Sequence, residues 1–169
     1  ITDIIDANKE KCDIAFLPHR MLGVDIRITS PNAKLVDELI NTIVPRIKKY
    51  VYGFDEDKLE QVIADLLLKH NLTVSTAESC TSGLLAARLT DVPGSSKYFK
   101  GGSVCYSNEL KINDVGVKSD LIDRYGAVSE EVAEALAKNI AEKNNSDIGI
   151  GITGIAGPDG GSEKKPVGL

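Results

Sequence analysis

The stretch Thr76-Ala-Glu-Ser-Cys-Thr-Ser-Gly83 lies between a β-branched run, Leu72-Thr-Val74, and a helix-forming run, Leu84-Leu-Ala-Ala-Arg-Leu89. This order predicts a strand, a tight turn and a helix, with the hydroxyl of Ser79 and the thiol of Cys80 in the turn. The unpaired N–H groups and partial positive charge of a helix N-terminus favour developing negative charge. An acyl-transfer enzyme uses such a turn for its nucleophile and part of its oxyanion hole. Taken alone, a polar strand–turn–helix junction of this kind is more often a simple helix cap than a site.

Strand-like and helix-like runs alternate along residues 53–169. Ahead of the turn, apolar residues recur at helical spacing from Leu59 to Leu67. After it, the pattern predicts four more elements: a strand over 98–107 with a break at Gly101-Gly102, a short helix from Asn108, a helix capped by Ser129 and a buried strand over 147–153. Strands that alternate with helices predict a layered α/β domain.

Residues 1–52 are predicted to form a separate small α+β unit. The patterns that indicate it are two strand-like runs over 14–17 and 24–29, a turn over 18–23, and a helix that begins after 30–32 and is weakened near its end by Pro45. The segment Tyr50–Asp55 is the predicted hinge, and we expect the domain boundary near residue 53.

Composition excludes several classes of protein. Of the 169 residues, 42% are apolar and 27% are charged, which is typical of a folded chain. The net charge of −5 argues against a general binder of nucleic acid or anionic membranes. No apolar run approaches the ~20 residues that span a bilayer, and no signal peptide is visible. We therefore expect a cytoplasmic protein, and we expect part of a longer chain because the first residue is not Met.

Cysteine and histidine are scarce. The three cysteines lack metal-type spacing, and their odd number without a secretion signal predicts reduced thiols. His19 and His70 belong to no cluster with cysteine or histidine, so no metal site is predicted. Few histidines also mean few candidates for a general base.

Three polar segments follow predicted strands, where α/β sheets hold their sites. They are Ser79-Cys80, the run Tyr106-Ser-Asn-Glu-Leu-Lys111 and the glycine-rich loop Thr153–Gly161. The loop matches neither the dinucleotide-binding nor the Walker pattern, and a plain tight turn also explains it. Lys111 is the preferred base, because a desolvated lysine beside a serine has a lowered pKa and accepts the hydroxyl proton. A solvated surface lysine is the alternative.

Five motifs in order resemble the CinA/PncC family: Ala77-Glu-Ser-Cys-Thr81, Val92-Pro-Gly-Ser-Ser96, Tyr106-Ser-Asn-Glu-Leu-Lys111, Gly126-Ala-Val-Ser129 and Thr153-Gly-Ile-Ala-Gly-Pro-Asp-Gly-Gly161. The resemblance runs from about residue 55 to the end. It implies a layered α/β/α amidohydrolase domain that deamidates nicotinamide mononucleotide in pyridine nucleotide recycling. Residues 1–52 resemble the small KH-like domain that precedes this module in CinA proteins.

The resemblance also implies roles for individual residues. Ser79 is the expected nucleophile, Lys111 the general base, and Tyr106 a catalytic residue that hydrogen-bonds the pair or stacks on the ring. The expected substrate-binding residues are Glu78, Cys80, Thr81, Asn108, Thr153, Gly154 and Gly157. The chemistry requires no metal and no organic cofactor, and a homodimer is expected.

Two alternatives stay open. Cys80 is a rival nucleophile, because thiols are intrinsically reactive and helix N-termini lower their pKa. The rival function is a non-catalytic nucleotide-binding module in competence or DNA-damage responses. Nucleic-acid binding by the KH-like part is disfavoured, since it has no Gly-x-x-Gly clamp and the chain is acidic.

Two departures from the family pattern affect these expectations. Ser82 stands where family members commonly have glycine, and a positive φ there would be strained. The family's sheet continues beyond Gly168, so we expect the α/β domain to be incomplete and to expose an unpaired sheet edge.

Overall fold

The structure, a computed structural model, describes residues 1–19 and 23–169. These residues form two compact units, Ile1–Leu59 and Glu60–Leu169. The expected boundary near residue 53 and the KH-like assignment of the first unit stay predictions.

The first unit combines a two-stranded antiparallel sheet with helices. Its elements are α1 (Thr2–Asn8), β1 (Asp13–His19), β2 (Gly23–Thr29) and α2 (Ala33–Ile47), followed by a 3₁₀ turn over Lys48–Tyr50. Both predicted strands and the predicted helix are confirmed. Of the turn expected over 18–23, Pro18 and His19 belong to β1, Gly23 begins β2, and residues 20–22 lie outside the described residues. Pro45 lies inside α2 without ending it.

The second unit is a mixed α/β domain built on a parallel sheet. Its elements are α3 (Leu59–His70), β3 (Val74–Glu78), α4 (Leu84–Thr90), β4 (Phe99–Val104), α5 (Asn108–Asn113), α6 (Ser119–Tyr125), α7 (Glu130–Asn144) and β5 (Ile148–Ile152). The strand order is β4-β3-β5, and both neighbours run parallel to β3. This architecture confirms the predicted fold class.

Alternate residues of β3 face two different apolar clusters. Val74 packs with Ala64 and Leu67 of α3, whereas Ala77 packs with Val132 and Leu136 of α7. All five residues of β3 are buried, as expected for a central strand with helices on both faces. Packing on both faces therefore fixes the carboxyl end of the central strand and the start of the turn that follows it.

One local prediction is confirmed and another was wrong. β3 continues to Glu78, and Ser79 and Cys80 lie in the turn Ser79–Gly83 before α4, as expected. Gly101 and Gly102 do not break β4 but lie inside it. A Cβ on Gly102 would stand 2.6 Å from Thr76 Oγ1, so glycine makes room for the neighbouring strand.

Helix α7 packs directly on the glycines of β5. A Cβ on Gly149 would overlap the backbone carbonyl of Ala137 and stand 2.9 Å from the Cβ of Ala141. A Cβ on Gly151 would overlap the carbonyl of Ala133. The predicted strand is confirmed, but its five residues are half-buried and not buried as expected. Its glycines let the helix backbone approach the strand.

Replacing Gly149 with alanine is expected to lower the free energy of unfolding by about 3 kcal/mol, because a backbone carbonyl cannot move aside as a flexible side chain would. Urea denaturation measures the change. Gly94→Ala is the matched control: Gly94 has φ +85° but open space around its Cβ position, so only backbone strain of about 1 kcal/mol is expected. Equal losses in the two variants would contradict close packing of α7 on β5.

Candidate active site

The centre of the site is a serine–lysine pair. Ser79 is the first residue after β3, and Lys111 lies in α5, which follows β4. Because β3 and β4 are parallel neighbours, their carboxyl ends meet at the same edge of the sheet. Lys111 Nζ lies 3.0 Å from Ser79 Oγ.

Lys111 is almost fully buried, at 2% exposure, and has no carboxylate partner within the described part of the chain. Its Nζ contacts three oxygens at 3.0 Å: the backbone carbonyls of Cys105 and Tyr106, and Ser79 Oγ. A neutral amine has two N–H donors and one lone pair. In the structure Lys111 Nζ donates to Ser79 Oγ, and Ser79 Oγ donates to the carbonyl of Tyr106 at 3.5 Å. When the amine is neutral and both carbonyls accept its N–H groups, its lone pair faces the Ser79 hydroxyl.

Burial lowers the pKa of Lys111 from its ordinary value, because the charged ammonium is desolvated. The nearby thiols of Cys105 and Cys80 oppose this effect only in part. The neutral amine is the form that accepts a proton, so the lowered pKa increases the fraction of protein in which Lys111 acts as a base.

Side-chain contacts hold α5 in place at both ends. Ser107 caps its first turn by accepting a hydrogen bond from the N–H of Leu110 at 3.1 Å. Asp114, which follows its last residue, accepts hydrogen bonds from Ser103 of β4 and Lys143 of α7. Together these contacts fix the helix that carries Lys111. The bonds from Ser103 and Lys143 to Asp114 were not predictable from the sequence, since these three residues are separated in the chain and belong to no recognised motif.

Tyr106 contributes its backbone to the pair. Its carbonyl accepts a hydrogen bond from Lys111 Nζ, while its side chain is 67% exposed. Within the described residues its hydroxyl makes no hydrogen bond to the chain, so the expected contact of the phenol with the pair is not formed. Stacking of the ring on a substrate stays a prediction.

The turn after β3 leaves the backbone N–H groups of Cys80 and Thr81 uncommitted within the described residues. The N–H of Ser79 donates to the carbonyl of Ile152 at 2.9 Å, and the N–H of Ser82 donates to the carbonyl of Ser79 at 3.1 Å. Between them, the N–H groups of Cys80 and Thr81 have no acceptor among residues 1–19 and 23–169. Two uncommitted donors next to a nucleophile are the arrangement that stabilises a tetrahedral oxyanion.

Glu78 occupies a different position from the one expected for a substrate-binding residue. It is fully buried, and its carboxylate accepts hydrogen bonds from the backbone N–H groups of Gly83, Leu85 and Ala86 at 2.8–3.1 Å. Burial by itself raises its pKa, but the nearby Thr81 hydroxyl and the N–H groups of Ala86 and Leu85 stabilise the carboxylate and outweigh burial, so the pKa is lowered. The carboxylate thus stays ionised and turned into the protein.

The glycine-rich loop lies beside the pair. A Cβ on Gly154 would stand 3.0 Å from Cys80 Sγ, so this loop packs against the turn Ser79–Gly83. The hydroxyl of Thr153 donates to the carbonyl of Ala127 at 2.8 Å. Gly157 has φ +81° and is followed by a cis bond to Pro158.

Two further polar side chains, one expected at the site and one not, lie in segments that follow the strands. Asn108, the first residue of α5, is exposed and makes no side-chain hydrogen bond within the described residues. Lys165, which belongs to none of the predicted site motifs, donates to the carbonyls of Tyr125 and Val128 at 2.7 and 2.5 Å. It joins the end of the glycine-rich segment to the turn that begins at Gly126.

No group of three or more histidine, cysteine, aspartate or glutamate side chains in residues 1–19 and 23–169 is arranged to hold a metal ion. Across those same ranges, no helix has the length and apolar character needed to cross a membrane.

Fold and site define a layered α/β domain with a buried serine–lysine pair at the carboxyl edge of its sheet. Residues 56–169 match the family model described as the CinA C-terminal domain. The chain therefore belongs to the CinA C-terminal domain family.

Relatives and solved structures agree with this assignment. The chain is 43% identical over 169 residues to a CinA-like protein of Fervidobacterium nodosum, which covers 98% of this chain and 41% of that protein. It is 50% identical over 136 residues to a CinA-like protein of Dictyoglomus thermophilum, with 80% of this chain and 33% of that protein covered. The chain thus spans about a third of the length of the curated relatives it matches.

Two crystal structures share the fold. The competence/damage inducible protein CihA from Agrobacterium tumefaciens matches with a TM-score of 0.65 and 39% identity, over 70% of this chain and 72% of that one. A competence-damaged protein (CinA) superfamily protein from Escherichia coli matches with a TM-score of 0.64 and 34% identity, over 74% of each chain.

Proposed function

We propose that residues 53–169 form an amidohydrolase that converts nicotinamide mononucleotide into nicotinate mononucleotide and ammonia. The observation that carries the proposal is the 3.0 Å contact between Ser79 Oγ and the buried Nζ of Lys111. A lysine without a carboxylate partner, directed at a serine hydroxyl, is an arrangement for nucleophile activation. The substrate is inferred from the resemblance of the five sequence motifs to the CinA/PncC family.

In the first step, neutral Lys111 removes the proton of the Ser79 hydroxyl while Oγ forms a bond to the carboxamide carbon of the substrate. The C=O electron pair moves onto oxygen, and the N–H groups of Cys80 and Thr81 donate to this oxyanion. The Lys111 ammonium then protonates the amide nitrogen. The C–N bond breaks, ammonia leaves, and an acyl ester on Ser79 remains.

The second step regenerates the enzyme. Neutral Lys111 removes a proton from a water molecule, whose oxygen attacks the ester carbon. The C–O bond to Ser79 then breaks as the ammonium returns the proton to Oγ, and nicotinate mononucleotide leaves. The scheme uses no metal and no organic cofactor.

The rest of the substrate is assigned to the loops around the pair. The exposed ring of Tyr106 is available for stacking on the nicotinamide, and Asn108 for a hydrogen bond. Thr153, Gly154 and Gly157 are assigned to the mononucleotide side of the pocket. The expected homodimer and cytoplasmic location stay predictions.

We expect the purified chain to release ammonia from nicotinamide mononucleotide with formation of equimolar nicotinate mononucleotide. Coupled detection of ammonia and chromatography of the nucleotide product measure the two independently. Nicotinate mononucleotide offered as substrate is the blank, since it has no amide to lose. Tight binding of the nucleotide to folded protein without ammonia release would contradict the amidohydrolase and favour the non-catalytic nucleotide-binding module.

A further inference from the structure

The turn that carries Ser79 has a strained backbone conformation. Ser82 has φ +51° and Gly83 has φ +92°, so two successive residues are left-handed. A non-glycine residue pays a steric penalty in this region, because its Cβ approaches its own backbone. The turn therefore needs contacts from outside that fix it.

The Glu78 carboxylate supplies those contacts. One oxygen accepts from the N–H groups of Gly83 at 3.1 Å and Leu85 at 3.0 Å, and the other accepts from the N–H of Ala86 at 2.8 Å. These donors lie at the start of α4, where no preceding turn of helix offers a carbonyl. The carboxylate thus bridges the residue before the nucleophile and the helix after it, with the turn Ser79–Gly83 between the two ends.

The same contacts decide which N–H groups are free for a substrate. The N–H groups of Gly83, Leu85 and Ala86 are occupied by the Glu78 carboxylate, and the N–H of Leu84 donates to the carbonyl of Thr81. An oxyanion is therefore left with the donors of Cys80 and Thr81. The start of α4, where the sequence favours developing negative charge, is thereby unavailable to a substrate oxyanion.

We propose that Glu78 is a positioning residue, whose carboxylate holds residues 79–83 so that Ser79 faces Lys111 and the N–H groups of Cys80 and Thr81 face the substrate. The proposal rests on the proposed amidohydrolase function. It replaces the substrate contact expected for Glu78, because a fully buried carboxylate that already accepts three N–H groups offers no free face to a nucleotide.

Glu78→Gln tests this role in the full chain. The variant has nearly the same shape, but its amide NH₂ replaces one acceptor oxygen and faces an N–H donor. We expect kcat for nicotinamide mononucleotide to fall about 100-fold, as for the loss of an oxyanion donor, with KM changed less than about threefold. Glu131→Gln is the matched control, since Glu131 lies near a helix N-terminus, in the first turn of α7, but is exposed. Its kcat is expected to be unchanged.

A rise in KM at unchanged kcat would overturn the proposal in favour of a substrate contact. A loss of activity that only follows the fraction of unfolded protein would overturn it in favour of a purely structural role.

Amide hydrogen exchange on the substrate-free wild-type protein tests the geometry even if the variant does not fold. The N–H groups of Gly83, Leu85 and Ala86 are expected to be protected, and those of Cys80 and Thr81 to exchange faster. The reverse pattern would overturn the proposal. An absence of ammonia release by the wild-type protein would instead contradict the amidohydrolase, because the exchange pattern does not depend on it.

Discussion

Ser79→Ala is expected to lower kcat for ammonia release from nicotinamide mononucleotide by at least about 10⁴-fold, as removal of a catalytic serine does in other hydrolases. The alanine has no oxygen to form the acyl ester, and Lys111 loses the hydroxyl that its Nζ contacts at 3.0 Å. Steady-state ammonia release measures the change. Ser95→Ala is the control, because Ser95 lies outside the site in the loop before β4 and is expected to retain full activity.

The Cys80→Ser variant separates the two candidate nucleophiles. Lys111 Nζ contacts the hydroxyl of Ser79, and no hydrogen bond joins it to the Cys80 thiol in the described structure. The oxyanion donor at position 80 is a backbone N–H, which the substitution preserves. We therefore expect Cys80→Ser to keep kcat within about tenfold of wild type. Wild-type turnover by Ser79→Ala together with inactivity of Cys80→Ser would reverse the assignment.

The layered fold was predictable because its signals are local. The Ser129 hydroxyl accepts the N–H of Val132 at 3.3 Å, as a helix-capping serine should, and the helix begins at the next residue. The start of α5 at Asn108 and the helical run after Gly83 follow from the same kind of pattern. Alternating elements of these types are compatible with few folds other than an α/β layer.

The details of the site were not predictable in the same way, since they depend on contacts between distant residues. The identity of residue 78 as glutamate does not predict that its carboxylate accepts hydrogen bonds from three backbone N–H groups. That contact depends on where β3 ends and on the left-handed turn. Tyr106 acts on Lys111 through its carbonyl, which every residue has. Position 102 is a glycine within a strand, because a Cβ there would stand 2.6 Å from Thr76 Oγ1 of the neighbouring strand.

Lys111→Met is expected to lower kcat about 10³-fold or more, because methionine fills a similar volume but accepts no proton. Ammonia release as a function of pH provides the second measurement. In the wild-type protein, kcat/KM is expected to rise with pH as Lys111 loses its proton, at a pH below the ordinary lysine range because burial lowers its pKa. The residual activity of the variant is expected to lack this rise. Lys138→Met, at an exposed position of α7, is expected to keep the wild-type profile.

The same lowered pKa gives the stability of the wild-type protein a definite dependence on pH. As the pH falls below the ordinary lysine pKa of about 10.4, Lys111 of the unfolded chain takes up a proton before Lys111 of the folded protein does, so the free energy of unfolding decreases. The decrease ends at the lowered pKa, where the folded protein also becomes protonated. Lys111→Met has no such group, so its stability relative to wild type is expected to increase as the pH falls through this window.

The pH dependence is a sharper test than the stability at a single pH. Methionine removes an amine that must lose its proton to be buried in this window, but it also leaves the carbonyl of Cys105 without its N–H donor, and these two effects oppose each other. The lost hydrogen bond to a carbonyl does not titrate, so it shifts the difference between variant and wild type equally at every pH. Urea denaturation of both proteins across the window isolates the protonation of Lys111. A difference that stays constant with pH would contradict a lowered pKa, and with it the neutral amine that the proposed mechanism requires.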